Sequence, residues 1–257
     1  MTTAVQGWIA LVGGLGTAVL GILKYFNYRS RRDRAAAVGQ SFVEAVDALA
    51  SNDRVKQLAA AILLRRFFDR RTEQGAAGAP YQQESIAVIA ALLRATETGQ
   101  FQKLLADGLA YAPSLRYADL QGCNLNGAYL SGERLGRQID LSDADFYDAD
   151  LARASLKGSK AQRTVFYHAT LTNTVFERAD LVDADFRDAD LTGADFRDAD
   201  LTGADFQNAD LNGARFDRAT FTGANFADAK NPPAPIRPLL GDDGTVSAPA
   251  SSVEAAS

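Results

Sequence analysis

The chain has 257 residues, a formal net charge of −5, one cysteine and one histidine. A single cysteine excludes an intrachain disulfide, and one His with one Cys cannot assemble a transition-metal cluster, so neither metal nor cofactor is expected. The charge is uneven: residues 24–113 carry 13 Lys and Arg against 9 Asp and Glu, whereas residues 115–230 carry 13 against 20. A basic front half joined to an acidic back half predicts different partners at the two ends.

Residues 2–23 hold no charged side chain, and Lys24, Arg29, Arg31, Arg32 and Arg34 follow at once. Residues 4–23 are 20 in number, about the span of a bilayer core. The pattern predicts a single-pass anchor within 1–28, with the N-terminus outside and the bulk of the chain on the cytoplasmic side of the membrane. A cleaved signal peptide would place basic residues before the apolar run and a small-residue cleavage site after it; neither is present. Gly13, Thr17 and Gly21 lie four apart, and Gly14 shares that spacing with Ala10 and Ala18. Small residues so spaced let membrane helices approach closely, which predicts a homo-oligomer formed through the anchor.

Residues 29–112 read as an α-helical connector. Phe42, Val43, Val46 and Leu49 form one apolar stripe; Val55, Leu58, Ala59, Ile62, Leu63 and Phe67 form the next. Ser51-Asn52-Asp53 between them is a cap-and-turn cluster. Further helices are expected over Gln82–Ala95 and Phe101–Ala110. Arg65, Arg66, Arg70 and Arg71 make a basic cluster, expected on a solvated face within reach of anionic headgroups.

From Leu115 to about Lys230 a five-residue unit repeats, cleanest in Ala184-Asp185-Phe186-Arg187-Asp188 and Ala189-Asp190-Leu191-Thr192-Gly193. A small residue comes first, a short polar one second, Leu or Phe third, then two variable residues. So short a unit buries its apolar residue only by stacking on copies of itself. Apolar centres fall at 115, 120, 125, 130 and 135, then at 141 and every fifth position to 226, with one residue added between Leu135 and Leu141. With four units per turn, Phe146, Phe166, Phe186, Phe206 and Phe226 form one column. On the outside, Lys157, Glu177, Arg197 and Asp217 then alternate in sign, as do Arg178, Asp198 and Arg218.

This repeat resembles the pentapeptide-repeat family, here of a membrane-anchored bacterial type. The resemblance implies a right-handed quadrilateral β-helix over 113–230, so the fold is mainly β with α: an N-terminal transmembrane helix, a small α-helical domain and the solenoid. The first turn of such a stack exposes an unpaired edge, and the helix Phe101–Ala110 is its expected cap. Asn231-Pro232-Pro233-Ala234-Pro235 ends the structure, and 231–257 reads as a disordered tail.

Two departures from the pattern are candidate interaction segments: Glu133, Arg134 and Arg137, where an acid takes a small inward place, and Lys160 and Arg163, around the undersized centre Ala161. Asp185, Asp190, Asp205 and Asp210 belong to a row of second-place acids expected to bond backbone N–H groups, with the surplus making an acidic surface. Cys123 falls at a small inward place and reads as packing.

No phosphate loop, nucleophile elbow or acid pair outside the repeat supports catalysis, and no nucleic-acid partner is expected. The preferred reading is a membrane-tethered, non-catalytic scaffold presenting the solenoid to a protein partner. The family resemblance supplies an alternative, a DNA mimic that binds and protects DNA gyrase. The solenoid's net charge falls well short of the roughly 16 phosphates on about 27 Å of duplex.

Overall fold

The computed structural model describes residues 36–51, 53–68, 81–233, 236 and 241. The predicted anchor over 1–28, with Gly13, Gly14, Thr17 and Gly21, lies outside the described residues, as does most of the tail. Among the described residues no helix is long and apolar enough to cross a membrane.

Residues 36–50 form α1. Asp53 then caps α2 (Arg54–Leu64), accepting the N–H groups of Val55 at 2.9 Å and Lys56 at 3.2 Å. The helix tightens into a 3₁₀ turn, Arg65–Phe67, before α3 (Gln82–Ala95) and α4 (Gln100–Leu109). Phe42, Phe67 and Tyr81 cluster ring against ring, and α4 packs on both α2 and α3.

The apolar stripes face differently from the sequence reading. On α1 the buried residues are Val38, Ala45 and Leu49, and Val43 is exposed. On α2 they are Ala60, Ala61 and Leu64, while Val55, Ile62 and Leu63 face outward. Alanines fill the tight side of the hairpin, because small side chains let the helix axes approach, and the larger residues are turned away.

From Leu115 the chain winds as a four-sided parallel solenoid. Bridges join Asp145 to Val165, Val165 to Asp185, Asp185 to Asp205 and Asp205 to Asn225, always twenty residues apart. Phe146, Phe166, Phe186, Phe206 and Phe226 stack with ring centroids 4.7–5.2 Å apart, so the predicted interior column is present. Phe176, Phe196 and Phe216 stack on the opposite wall at 5.0 Å, and the two columns meet edge to face across the core.

The unit 184–188 shows why the repeat has its composition. Ala184 N–H donates to Leu181 within the turn, Asp185 to Thr164 in one adjoining rung, and Phe186 and Asp188 to Asp205 and Gln207 in the other. The fifth N–H, of Arg187, donates to the Asp185 carboxylate at 3.1 Å. Every backbone donor is thereby satisfied, as a stacked interior requires. A short oxygen-bearing side chain is needed second, and the last residue sits in the left-handed region (φ 56° at Asp188), which Asp, Asn and Gly tolerate best.

The insertion is larger than one residue. Asp119, Asn124 and Tyr129 bridge to Asp145, Asp150 and Ser155, each 26 positions on, so six residues, 133–138, loop out of the first turn. Leu135 is therefore no rung centre; it is exposed, in the 3₁₀ turn Glu133–Leu135. Glu133 is likewise exposed instead of inward, and Ile139 takes the buried small place. The loop closes on the Gly132 carbonyl, which accepts from Leu135 and Arg137, and a Cβ at Gly132 would overlap the Arg137 carbonyl. Four units precede the loop and eighteen follow it.

Candidate interaction surfaces

The open edge of the first turn is covered by two helices. From α3, Leu93 O accepts from Asn124 N–H, Ala90 O from the Cys123 thiol, and the Arg94 guanidinium reaches Gln121 O at 2.7 Å and the Asp119 carboxylate at 2.7 Å. From α4, the buried Gln102 donates to Asn124 O and Asn126 O, Lys103 to Gly127 O, and Asp107 accepts Tyr129 N–H at 2.8 Å. The expected cap helix is present, and α3 shares its task. Cys123 is buried in this joint, and burial pushes its thiol up to about 11, so it is packing and not a nucleophile.

Arg137 turns from the loop back to the connector, donating to the carbonyls of Ala110 (2.7 Å), Ala112 (2.5 Å) and Pro113 (3.2 Å). Burial lowers its pKa, because the guanidinium is drawn into a partly desolvated seam. Glu133 stays outside and pairs with Lys157 at 3.5 Å. Arg134 lies in the same 3₁₀ turn. Arg65, expected on a solvated face, donates to Leu104 O and lies over the Tyr111 ring; Arg70 and Arg71 lie outside the described residues.

The charge ladders form in part, with Arg178 pairing with Glu177 at 3.7 Å and Asp217 with Arg215 at 3.4 Å instead of with their expected column neighbours. Glu177 pairs with Lys157 at 3.3 Å and Arg197 at 3.8 Å, and Arg218 clamps Asp198 at 2.6 Å. Asp143 bridges Arg163 (2.7 Å) and Arg116 (3.0 Å), and the Arg163 hydrogen bond holds its carboxyl below the ordinary range. The rung at Ala161 keeps its regular hydrogen bonds, with Lys160 N–H donating to Ile139 O and Ala161 N–H to Asp180 O. The Ser159 hydroxyl beside it is buried without a hydrogen-bond partner.

The four second-place acids are engaged within the stack. Asp185 also binds the Arg187 guanidinium at 2.6 Å; Asp190 accepts from Thr192 N–H and Thr172; Asp205 from Gln207 N–H and Asn225; Asp210 from Asn212 N–H and Asn231. Burial works against ionisation of Asp190, yet the Thr192 and Thr172 hydrogen bonds outweigh it and its pKa is lowered.

One surface was missed from sequence. Tyr147 and Tyr167 lie with ring centroids 5.6 Å apart and planes tilted by 40°, His168 lies 4.4 Å from Tyr167, and the Arg187 guanidinium sits 5.2 Å over the Tyr167 ring. Aromatic and Arg side chains together are the composition of interface anchors. The signal was available: Tyr147, Tyr167 and Arg187 are spaced by twenty, as the inner columns are.

Family models for pentapeptide repeats match residues 137–206 ("Pentapeptide repeat region") and 114–132 with 199–230 ("Pentapeptide repeats (8 copies)"). A parallel four-sided stack of this unit defines the class, and the chain belongs to the pentapeptide-repeat family. Among solved structures it is similar to a pentapeptide-repeat protein of the Arabidopsis thaliana thylakoid lumen: 32% identity, 45% of this chain and 89% of that one, TM-score 0.35. It is also similar to HetL of the cyanobacterium Nostoc sp. strain PCC 7120, involved in heterocyst differentiation regulation: 28% identity, 52% and 57% covered, TM-score 0.30. QnrB1, a plasmid-mediated fluoroquinolone resistance protein, matches at 20% identity over 48% of this chain and 72% of its own, TM-score 0.31. No curated protein matches the chain.

Proposed function

We propose that this protein is a non-catalytic interaction scaffold, tethered to the cytoplasmic membrane through residues 4–23, that offers the solenoid's faces to a protein partner on the cytoplasmic side. The carrying observation is the division of labour within each unit. First and third residues are buried in the stack and the second bonds its backbone, so a partner meets chiefly the outward fourth and fifth residues, in rows fixed by the rungs. The Tyr147, Tyr167, His168 and Arg187 row is the preferred docking face, because it offers ring area on a rigid backbone. Glu133 and the exposed loop around it form a second, polar edge.

Gyrase mimicry is less well supported. The second-place acids of 180–210 accept an N–H of their own units, and Arg187, Arg197 and Arg218 pair with Asp185, Asp195 and Asp198. The acidic face is thus interrupted by arginines, where duplex DNA presents an unbroken line of phosphates.

The test uses the full chain expressed in cells. It is expected to pellet with membranes and to need detergent for release, whereas a chain lacking 4–23 stays in the supernatant. Affinity capture from solubilised membranes then compares the intact chain with a Tyr147→Ala, Tyr167→Ala variant, which is expected to lose a specific partner. Identical captured proteins would overturn the docking face, and inhibition of gyrase supercoiling would restore the alternative.

A further inference from the structure

The hairpin of α1 and α2 leaves large apolar side chains uncovered: Val55 is 74% exposed, Ile62 53%, Val43 51% and Leu63 44%. Between the helices runs a groove of about 370 Å³, with Ala45, Ala48, Ala59, Ala60, Leu63 and Phe67 among its lining residues. A small-residue floor is what a helix needs in order to approach closely, and Leu63 adds an exposed apolar side chain at its edge.

The rim states which kind of partner fits. Glu44 stands on the α1 side, Lys56 and Arg66 on the α2 side. Among the described residues neither Glu44 nor Lys56 has an ion-pair partner; Glu44 accepts only from Gln40, at 3.1 Å. A surface with acid on one helix and base on the other, across an apolar seam, is complementary to itself under a two-fold axis through the seam. The axis lays α1 of each copy along α2 of the other and brings each Glu44 toward the opposite Lys56. An anionic lipid surface fits less well, because Glu44 and Asp47 are both exposed on α1 and would face the headgroups.

We propose that this face is a homodimer interface, in which two α1–α2 hairpins close into a four-helix arrangement held by paired Glu44–Lys56 contacts. The interface is distinct from the solenoid faces and from any association of the anchor.

The test is sedimentation of the full-length chain in detergent, with Glu44→Lys and Lys56→Glu variants alone, mixed, and combined in one chain. Each single variant sets like charges against each other twice and is expected to weaken self-association by about tenfold or more. Mixing the two single variants gives a heterodimer in which both contacts are complementary, so association returns to within about threefold of the original, as it does in the combined variant. Restoration on mixing also shows that both single variants are folded. A chain monomeric at every concentration overturns the proposal. So does association indifferent to the charge swaps, which would place the contact in the anchor or elsewhere, and so does failure of the mixture to restore it.

Discussion

The helical connector and the solenoid both carry regular apolar spacing, and that spacing specifies what is buried far more completely in the solenoid. In the solenoid the column Phe146 to Phe226 is where the period puts it. In the connector, helix positions were legible, and Gln82–Ala95 has the expected bounds, but the buried faces of α1 and α2 were not. The lesson is physical. A rung twenty residues on must meet its own copy, so each side chain's neighbours are written in the repeat. A helix has several apolar faces, and which one is covered depends on elements far along the chain.

The largest effect should come from breaking the solenoid's interior. Phe186 stacks between Phe166 and Phe206 and meets Phe176 and Phe196 edge-on. Phe186→Ala is expected to cost about 3–5 kcal/mol, read as a lowered midpoint in denaturant. An unchanged midpoint would mean the column does not hold the stack.

Severing the joint between the two regions comes next. Arg137→Ala strips three connector carbonyls of their donor and is expected to cost about 1–3 kcal/mol. Hydrogen exchange should then separate the connector from the first rungs; continued exchange of the two as one unit would contradict this.

The smallest effect is on the solenoid's rim. Asp143, Asp190, Asp195 and Asp198 have pKa values below the ordinary carboxylate range. A carboxylate depressed on folding contributes stability that is fully present above its unfolded pKa and is lost as pH falls through the folded one. Thermal stability should therefore hold from neutrality to about pH 4 and decline below it. Because these groups lie half-buried or, for Asp190, exposed on the rim, high salt should shrink that dependence in part. A melting temperature flat from pH 7 to pH 2 would show that the ladders contribute little.

Of the candidate interaction residues, the sequence placed Lys160, Arg163 and the aspartates correctly on the stack, since the repeat assigns each a position. It did not reveal that the aspartates are saturated by N–H groups of their own units together with Arg, Thr and Asn side chains. Nor did it reveal that Arg137 turns back toward the connector, because that partner lies across the six-residue loop. The tyrosine row was as legible as the phenylalanine columns, but outward positions carry no burial requirement to mark them.

The sequence by itself determined the unit, its stacking and the need for a cap, because so short a unit buries its apolar residue on copies of itself and its residues twenty apart repeat inside and alternate in charge outside. Tertiary structure alone decided the size of the loop at 133–138, the sharing of the cap between α3 and α4, and the face of the α1–α2 hairpin left uncovered. Each of these depends on groups brought together from distant parts of the chain, where shape and unpaired backbone groups choose the partner and no local spacing records the choice.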